Sequence, residues 1–429
     1  MEQTTMKKSI LLITPENRDI HRIRRRQFNN FTQLTMPYLA GFINEDHYKI
    51  TLVDEYNQRI PYHEKFDLIA ITVNTPNAAH CYAISERFRE SGASVILGGP
   101  HVTLLPEEAM VHCEYVIIGE AEETWPRFLE EFYNGKAQPK YSSDKPPTLE
   151  GLPLPKRGLI KNRILTKGAV IASRGCPYCC SYCNLKQIYH PKFRCRPVQE
   201  VITDIRNISS RYFVFWDDNF FGNHQYAISL MKELKSLGKK WAAQVTLKDC
   251  NDVELLKMAR DSGCIYLFLG LESFSAESLS LVNKEINKIE DYQRIIGLIH
   301  QHQISVQAGI IFGFDTDDKS VFEKTLRWCE ELGIDGATVS LLTPLPGTPI
   351  YEELKRKGRL LSDDWSHYNG KTSVAFKPNH MTPEELFEGY MWFRKNFYSL
   401  RSILRRLTVS KTNVFHNLLM NLGYRWSLK

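Results

Sequence analysis

The segment Ala172-Ser-Arg-Gly-Cys-Pro-Tyr-Cys-Cys-Ser-Tyr-Cys183 contains four of the ten cysteines of this 429-residue chain. Cys176, Cys180 and Cys183 are separated by three and then by two residues. Three thiolates on one tight loop can bind three irons of a cubane cluster, which leaves the fourth iron open to a small chelating molecule. We therefore predict that these three cysteines bind a [4Fe–4S] cluster.

Two other chemistries are alternatives for the same cysteines. Structural zinc normally takes four ligands in two close pairs, and no second Cys or His pair stands near this segment. A redox pair of Cys180 and Cys183 would leave Cys176 without a role. Spacing and position in the chain favour the cluster over both.

The cysteine segment follows the first strand of a series in which strand and helix patterns alternate. The strand candidates are residues 169–173, 213–216, 241–245, 265–270, 306–312 and 336–342. Six strands over roughly 170 residues are too few for a complete eight-stranded barrel of about 250 residues. We therefore predict an open, partial (β/α)6 barrel over residues 168–345.

A second alternating series precedes the cysteine segment. Its strand candidates are residues 10–13, 50–53, 68–73, 95–97 and 116–118, with helical patterns at 79–91 and 124–133. This alternation predicts an α/β domain over residues 1–140, with a Rossmann-like, doubly wound parallel sheet. We expect residues 141–167, which are rich in proline, to be a linker, and residues 346–429 to form a helical, basic extension.

Composition limits the class of protein. The apolar runs are interrupted well short of the ~20 residues that a membrane span requires. The N-terminal residues are polar and lack the charged-then-apolar pattern of a secretory leader. Clustered cysteines without such a leader favour metal binding in a reducing compartment, so we expect a cytoplasmic protein.

The cysteine pattern resembles the signature of the radical S-adenosylmethionine (SAM) superfamily, CxxxCxxΦC, in which Tyr182 supplies the aromatic residue. Cys179 falls at a variable position of that signature, and we interpret it as a bystander. The resemblance implies that SAM chelates the open iron and is cleaved to a 5′-deoxyadenosyl radical. It also implies an electron donor such as a flavodoxin or a ferredoxin.

Polar residues and glycines end several strands of the barrel, at the edge where barrels carry their chemistry. Asp218 and Asn219 follow the second strand and are the predicted catalytic residues, although helix capping explains them as well. The resemblance implies contacts to SAM from the residues that end later strands, and from the signature aromatic. These residues are Tyr182, Gln244, Glu272, Ser273, Gly309 and Gly313. The alternatives are a buried glutamate that accepts loop amides and glycines that only mark turns.

The order of the whole chain resembles the cobalamin-binding class of radical SAM enzymes, and in particular the subgroup that includes hopanoid C-methylases. The motifs that carry this resemblance are Leu97-Gly-Gly-Pro-His101, Pro106-Glu-Glu-Ala109, Gly119-Glu-Ala-Glu-Glu-Thr-Trp-Pro126, Leu342-Thr-Pro-Leu-Pro-Gly-Thr-Pro349, Trp365-x-x-Tyr368 and Phe376-Lys-Pro378. The resemblance implies a corrin at the carboxyl edge of the front sheet. Its predicted contacts are Thr72, Asn74, Thr75, Gly98, Gly99, Gly119 and Glu120.

One departure affects the cobalamin prediction. Domains that ligate cobalt through a histidine carry D-x-H-x-x-G after a strand, whereas this chain has Asn74-Thr-Pro-Asn-Ala-Ala79, with Pro76 in place of the histidine. His80 lies on the following helix and fits a surface residue better than a ligand. Either cobalt is bound without this ligand or the domain has lost cobalamin.

We expect hydrogen abstraction from an unactivated carbon followed by cobalamin-dependent C-methylation of a hydrophobic, lipid-like or natural-product substrate. The alternatives are a cobalamin-free enzyme that forms carbon–carbon or carbon–sulfur bonds, cyclises or rearranges, and an iron–sulfur sensor without turnover. Residues 389–429 contain eight Lys or Arg and no Asp or Glu. For this tail, packing on the barrel ranks first, contact with the inner face of a membrane second and nucleic acid a distant third.

Overall fold

The structure is a computed structural model that describes residues 7–20, 33–161, 168–189 and 192–428. The described residues form two six-stranded parallel sheets and one two-stranded antiparallel sheet. Helices cover both large sheets, and a helical region follows the second sheet. The predicted fold class, with a doubly wound front sheet, a partial barrel and a helical extension, is confirmed.

The front sheet has the strand order β2-β1-β3-β4-β5-β6. Its strands are β1 (Lys8–Thr14), β2 (Tyr48–Asp54), β3 (Leu68–Thr72), β4 (Ser94–Gly98), β5 (Tyr115–Ile117) and β6 (Lys140–Tyr141). The helices around it are α1 (Thr35–Gly41), α2 (Ala78–Glu90), α3 (Pro100–Leu104), α4 (Pro106–Met110) and α5 (Thr124–Tyr133). Sheets of this order bind ligands where the strand order reverses, outside the carboxyl ends of the strands.

The front strands form because both of their faces are buried. Ile10, Leu11, Leu12 and Ile13 of β1 are all fully buried. Leu11 and Ile13 pack in the core on the α2 side, whereas Ile10 and Leu12 pack in the core that contains residues of α1 and α5. A continuous apolar run of this kind is typical of a parallel strand covered by helices on both sides.

The proline-rich segment predicted as a linker begins with a short strand that its composition does not indicate. Lys140–Tyr141 extends the front sheet as a sixth parallel strand beside β5. The Tyr141 ring is 1% exposed and lies 5.3 Å from the Phe128 ring. Further along, the Lys156 amide donates to the Pro37 carbonyl at 2.8 Å. Residues 162–167 of this segment lie outside the described residues.

The second sheet has the strand order β14-β13-β12-β11-β10-β7, so each strand pairs with its neighbour in the series. Strands in this part of the chain are β7 (Gly168–Val170), β8 (Ser173–Arg174), β9 (Arg194–Cys195), β10 (Tyr212–Phe215), β11 (Lys240–Val245), β12 (Cys264–Glu272), β13 (Ser305–Phe312) and β14 (Gly336–Leu341). The short strands β8 and β9 pair with each other. The alternating helices are α6 (Leu185–Ile188), α7 (Val198–Arg206), α8 (His224–Leu234), α9 (Val253–Asp261), α10 (Ala276–Leu281), α11 (Ile289–Gln301) and α12 (Val321–Glu331).

The C-terminal extension covers the β14 side of the barrel. It consists of α13 (Pro349–Arg356), α14 (Pro383–Phe397), α15 (Leu400–Ser410) and α16 (Val414–Ser427). Arg406 of the basic tail is 1% exposed and donates to the carbonyls of Ile334 and Phe397 at 2.6 and 2.9 Å. Part of the basic tail therefore packs on the barrel. None of the described helices is long and apolar enough to cross a membrane.

Two residues of the extension satisfy the open edge of β14. The Leu341 amide donates to the Gly370 carbonyl at 2.9 Å. The ammonium of Lys371 donates to the Val339 carbonyl and, at 3.1 Å, to the Ser340 hydroxyl. Burial, and then the neighbouring Arg394, lower the pKa of Lys371 to about 7.

This depressed pKa predicts a pH-dependent stability. The unfolded chain holds the Lys371 proton up to about pH 10.4, whereas the folded chain releases it near pH 7. Between these values the unfolded state binds more protons, so the free energy of unfolding rises with pH, by about 1.4 kcal/mol per pH unit from this residue. Denaturation of wild type and Lys371→Met at pH 7.5 and 8.5 measures it. Relative to Lys371→Met, the free energy of unfolding of wild type and of the exposed-site control Lys257→Met should rise between these two pH values. Parallel pH profiles for all three proteins would contradict this prediction.

Candidate active site

A cavity of about 740 Å³ lies between the carboxyl edge of the front sheet and the cysteine side of the barrel. Its volume is in the range of small-molecule and cofactor sites. Residues of the front domain that line it include Asn17, Thr72, Asn74, Pro76, Gly98, Gly99, Gly119 and Glu120. Residues of the barrel domain that line it are Ile171, Arg174, Ile188, Tyr189 and Trp216. Both domains therefore contribute to one binding site.

Six of the seven predicted corrin contacts line this cavity: Thr72, Asn74, Gly98, Gly99, Gly119 and Glu120. Gly119 has a φ of +81°, and a β-carbon there would meet nothing within 4 Å, so this glycine leaves open space in the wall. Thr75 is the exception. It is 3% exposed, and its hydroxyl lies 3.3 Å from Nδ1 of the buried His101.

Asn17 is a cavity residue that the sequence analysis did not single out. Its side chain is 5% exposed, and its Oδ1 accepts from the Asp19 amide at 3.1 Å. Within the described part of the chain its Nδ2 has no hydrogen-bond partner. A buried amide donor on a cavity wall is costly unless a ligand or water satisfies it. It therefore suits a ligand that carries acceptor oxygens.

A cluster of buried ion pairs joins the two domains beside the cavity, and we call it the Arg174 ion-pair cluster. Arg174 binds Glu120 at 2.5 Å and Glu122 at 2.7 Å, and Arg194 binds the second oxygen of Glu120 at 2.6 Å. The Tyr38 hydroxyl donates to Glu122 at 3.0 Å. All four charged side chains are between 2% and 11% exposed. The Glu120 carboxylate is therefore committed to two arginines, although it also lines the cavity.

The three predicted cluster ligands lie close enough to influence one another's ionisation. Burial, opposed by a backbone amide and then reinforced by the charges of Cys180 and Cys176, raises the pKa of Cys183 to about 11. Burial likewise raises the pKa of Cys176. Cys179 differs, because it is exposed and accepts a hydrogen bond from Lys186. A metal that binds Cys176 and Cys183 must displace their protons.

Next to these thiols lies a group of polar residues that includes Lys284, which the sequence analysis missed. Burial, and then the neighbouring Glu272 and Cys180, raise the pKa of the Tyr182 hydroxyl. Lys284 lies 3.9 Å from Glu272 and is 8% exposed. Burial lowers the pKa of Lys284, but Glu272 and then Cys180, Cys176 and Cys183 raise it above the ordinary value.

Glu272 has an unusual backbone as well as a buried side chain. Its φ is +64°, a left-handed value that non-glycine residues rarely adopt. Burial raises the pKa of its carboxyl against the opposing effects of Lys284 and Tyr182. Strained residues of this kind concentrate at ligand sites, where the surrounding structure holds them.

The acidic run after β10 supports the start of the cysteine loop. Asp217 accepts from the amides of Ala172 and Ser173 at 2.9 and 2.7 Å. Asp218 accepts from the Gly175 amide at 2.8 Å. Asn219 is fully buried and donates to Asp249 at 3.2 Å. These contacts give Asp218 and Asn219 structural roles, and their catalytic role stays a prediction.

The other predicted SAM contacts lie in different surroundings. Gln244 is exposed on the inner face of β11 and donates to the Asp218 carbonyl at 3.3 Å. The Ser273 hydroxyl accepts from the Ser275 amide at 3.1 Å. A β-carbon on Gly309 would lie 2.9 Å from the Phe268 ring. Gly313 has a φ of +108° and packs against Leu386 of the extension, contacts that require glycine even without a ligand.

The cysteine loop and the cavity fit the cofactors that the sequence predicts. Within the described ranges, no group of three His, Cys, Asp or Glu side chains is arranged to bind one metal ion. A cubane makes a different demand, because each thiolate binds its own iron corner. In the cavity, the Asn17 Nδ2, which has no partner among the residues that the structure describes, and the open space at Gly119 fit a large ligand with acceptor side chains, such as a corrin.

Comparison with known families agrees with this geometry. Residues 170–329 match the model of the radical SAM superfamily, residues 30–129 match that of the B12 binding domain, and residues 348–417 match a domain of unknown function. The fold and the site thus define a radical SAM enzyme with a B12-binding domain.

Two curated relatives align with most of the chain. The bacteriochlorophyllide d C-12(1)-methyltransferase of Chlorobaculum tepidum is 30% identical over 89% of this chain and 87% of its own length. The hopanoid C-2 methylase of Rhodopseudomonas palustris is 26% identical over 80% of this chain and 70% of its own. The structure of the radical SAM methyltransferase TsrM from Kitasatospora setae has the same fold, with a TM-score of 0.73 at 14% identity over 98% of this chain and 99% of its own.

The chain belongs to the cobalamin-dependent radical SAM methyltransferase family. Its predicted class and the cofactor set of that class, an iron–sulfur cluster, SAM and cobalamin, are confirmed at the level of the family.

The cysteine assignment predicts different results for neighbouring substitutions. Cys176→Ala, Cys180→Ala and Cys183→Ala should each abolish both the cluster and SAM cleavage after anaerobic reconstitution, because each removes one iron ligand. Cys179→Ala is the matched control and should retain both, since its thiol is exposed. Iron content, the visible absorption of the cluster and release of 5′-deoxyadenosine measure the outcome. Loss of the cluster in Cys179→Ala alone would overturn the assignment.

The Arg174 ion-pair cluster predicts a large loss of stability when one partner is removed. Arg174→Met leaves Glu122 and part of Glu120 as buried, uncompensated charges, which costs about 3–5 kcal/mol. The control Arg89→Met breaks a pair with Glu114 whose side chains are about one-third exposed, which costs about 0–1 kcal/mol. Both variants are denatured without the iron–sulfur cluster, and their losses of unfolding free energy are compared. Equal losses would refute the structural role of Arg174.

Proposed function

We propose that the protein is a C-methyltransferase that uses a radical derived from SAM, together with cobalamin, to methylate an unactivated carbon of a hydrophobic polycyclic substrate. The observation that carries this proposal is the shared cavity, which is walled by the front-sheet loops and by Arg174, two residues before Cys176. The proposed division is residues 1–140 for the corrin, 141–167 for the connection, 168–345 for SAM and 346–429 for the extension.

The bound cofactors supply the difficult chemistry: SAM at the cluster provides a hydrogen-abstracting radical, and cobalamin provides a transferable methyl group. Cys176, Cys180 and Cys183 would hold the cluster. Lys284 and Glu272 lie beside them with opposite charges, which suits the carboxylate and amino groups of SAM. Gly98, Gly99 and Gly119 would allow the corrin to approach the backbone. An electron donor such as a flavodoxin or a ferredoxin would reduce the cluster.

The barrel face that lies opposite the helices supports a hydrophobic substrate. Alternate residues of β13, such as Val306 and Ala308, pack in the core beneath the helices. Gly309 and Ile311 therefore face the barrel interior, as does Phe268 of the neighbouring strand, which lies close to Gly309. These three inward residues are uncharged, and Gln244 of β11 adds a polar amide to the same face. The two curated relatives described above are named for a tetrapyrrole and a hopanoid, which are both polycyclic.

Among the described residues that line the cavity there is no histidine, and we propose that the cobalt has no histidine ligand from this part of the chain. Pro76 lines the cavity where histidine-ligating domains place their ligand, and proline has no side-chain donor. His80 instead lies 2.8 Å from one carboxylate oxygen of Glu55, and it does not line the cavity. Purified with hydroxocobalamin, the protein should retain corrin, and its absorption spectrum should be unchanged in His80→Ala. A spectral change on that substitution would show that histidine ligates the metal.

The methylation proposal is tested by product analysis. Reduced holoenzyme with SAM and either bacteriochlorophyllide d or a hopanoid should release both 5′-deoxyadenosine and S-adenosylhomocysteine. With methyl-deuterated SAM, the substrate should gain three deuterium atoms. Release of 5′-deoxyadenosine without S-adenosylhomocysteine, at full corrin loading and with a converted substrate, would instead establish the bond-forming or cyclising alternative. Release of neither product with these and other polycyclic substrates would favour a sensor.

A further inference from the structure

The last helix of the extension, α16, buries polar side chains and exposes apolar ones. Asn417 and Asn421 of α16 are 0% and 1% exposed. Their amides donate to the carboxylate and the carbonyl of Asp335, each at 2.7 Å. The polar face of α16 is therefore fixed against the barrel, and the helix cannot rotate without breaking these buried hydrogen bonds.

The opposite face of α16 presents large apolar side chains to solvent. Phe415 is 75% exposed, Leu419 51%, Leu422 38% and Trp426 56%. Their spacing of four, three and four residues places them in one stripe along the helix. Because the asparagines hold the other face, nothing in the fold of the described residues covers this stripe.

The neighbouring helix α15 also exposes apolar side chains. It packs against α16 and exposes Leu400 by 53%, Leu404 by 58% and Val409 by 45%. Among the described residues, ten of the seventeen large, exposed apolar side chains fall within residues 391–426. Such a concentration of exposed apolar side chains in one part of the chain is typical of an interaction site.

The charge around this surface identifies the kind of partner. Residues 389–429 carry eight Lys or Arg and no Asp or Glu. The exposed cations that accompany the apolar side chains are Lys395, Arg401 and Lys411, whereas Arg405, also exposed, is paired with Glu330 at 2.9 Å. A second copy of the chain would bring another basic surface against this one, which Coulomb repulsion disfavours. Exposed Trp, Phe and Leu beside cations match the boundary between lipid headgroups and acyl chains.

We propose that the exposed face of α15 and α16 docks on an anionic phospholipid surface, with Phe415, Leu419 and Trp426 inserted and the basic residues on the headgroups. The protein binds the surface of the bilayer without crossing it, and this binding does not require catalysis. The proposal is independent of the reaction proposed above and of its substrate.

Sedimentation of the protein with vesicles tests the proposal. Vesicles of 70% phosphatidylcholine and 30% phosphatidylglycerol should bind it, and pure phosphatidylcholine should bind it much more weakly. The double substitution Phe415→Asp/Trp426→Asp should weaken binding tenfold or more, because it places charges where apolar side chains enter the bilayer. Arg401→Gln should weaken it about fivefold, the equivalent of ~1 kcal/mol per basic residue near the surface.

Two controls make each outcome decisive. Val111→Asp alters an apolar residue that is 71% exposed on the front domain, and it should bind vesicles as wild type does. Circular dichroism should show that the double variant is folded. Wild type that ignores anionic vesicles would overturn the proposal. So would undiminished binding of the folded double variant, which would indicate purely electrostatic adsorption, or a dimer that dissociates on Phe415→Asp/Trp426→Asp without any vesicle binding.

Discussion

The guanidinium group of Arg174 is the constraint on which the arrangement of the site depends. It belongs to the strand that leads into the cysteine loop, yet both of its carboxylate partners, Glu120 and Glu122, belong to the front domain. A buried arginine must be neutralised, so the two domains can pack only where these carboxylates reach it. This packing brings the carboxyl edges of both sheets to one cavity. The position of the first cysteine is thereby tied to the loops predicted to hold the corrin.

The barrel is open on the β14 side, and the extension supplies what a closing strand would otherwise supply. The backbone of Gly370 and the side chain of Lys371 satisfy the edge of β14. At the other end of the same strand, Asp335 binds His300 as well as Asn417. These contacts explain why the extension, although basic, packs tightly on the barrel. They also orient its last helix with the apolar side outward.

Much of this architecture could be predicted, because its signals are local. The buried strands are continuous apolar runs, and residues 124–133 were predicted as a helix with the same bounds as α5. The cysteine spacing lies within eight residues of sequence. In contrast, β6 has only two residues, which is too short for any periodicity. Thr75 was predicted to contact the corrin, but a short 3₁₀ turn directs it inward towards His101.

The contacts that sequence analysis missed join residues that are far apart in the chain. Lys284 meets the cysteine loop about a hundred residues after it, and no motif near Lys284 indicates this. Arg174 and Glu122 likewise belong to different domains, so their pairing depends on how the two sheets pack. Nothing in the sequence distinguishes Asn17 from other loop residues, and only the fold shows that its amide lies in the cavity wall. A composition bias did mark the tail as basic, but only the structure distinguishes its buried Arg406 from its exposed cations.

The central claim is that one cavity holds the corrin against the loop that binds the cluster. Electron paramagnetic resonance of holoenzyme containing cob(II)alamin tests it directly, through the spin relaxation of cobalt. Reducing the cluster to its paramagnetic state should accelerate that relaxation strongly, since the two centres would be held on either side of Arg174. A cobalt signal whose relaxation is the same with the cluster reduced, oxidised or removed would contradict the claim.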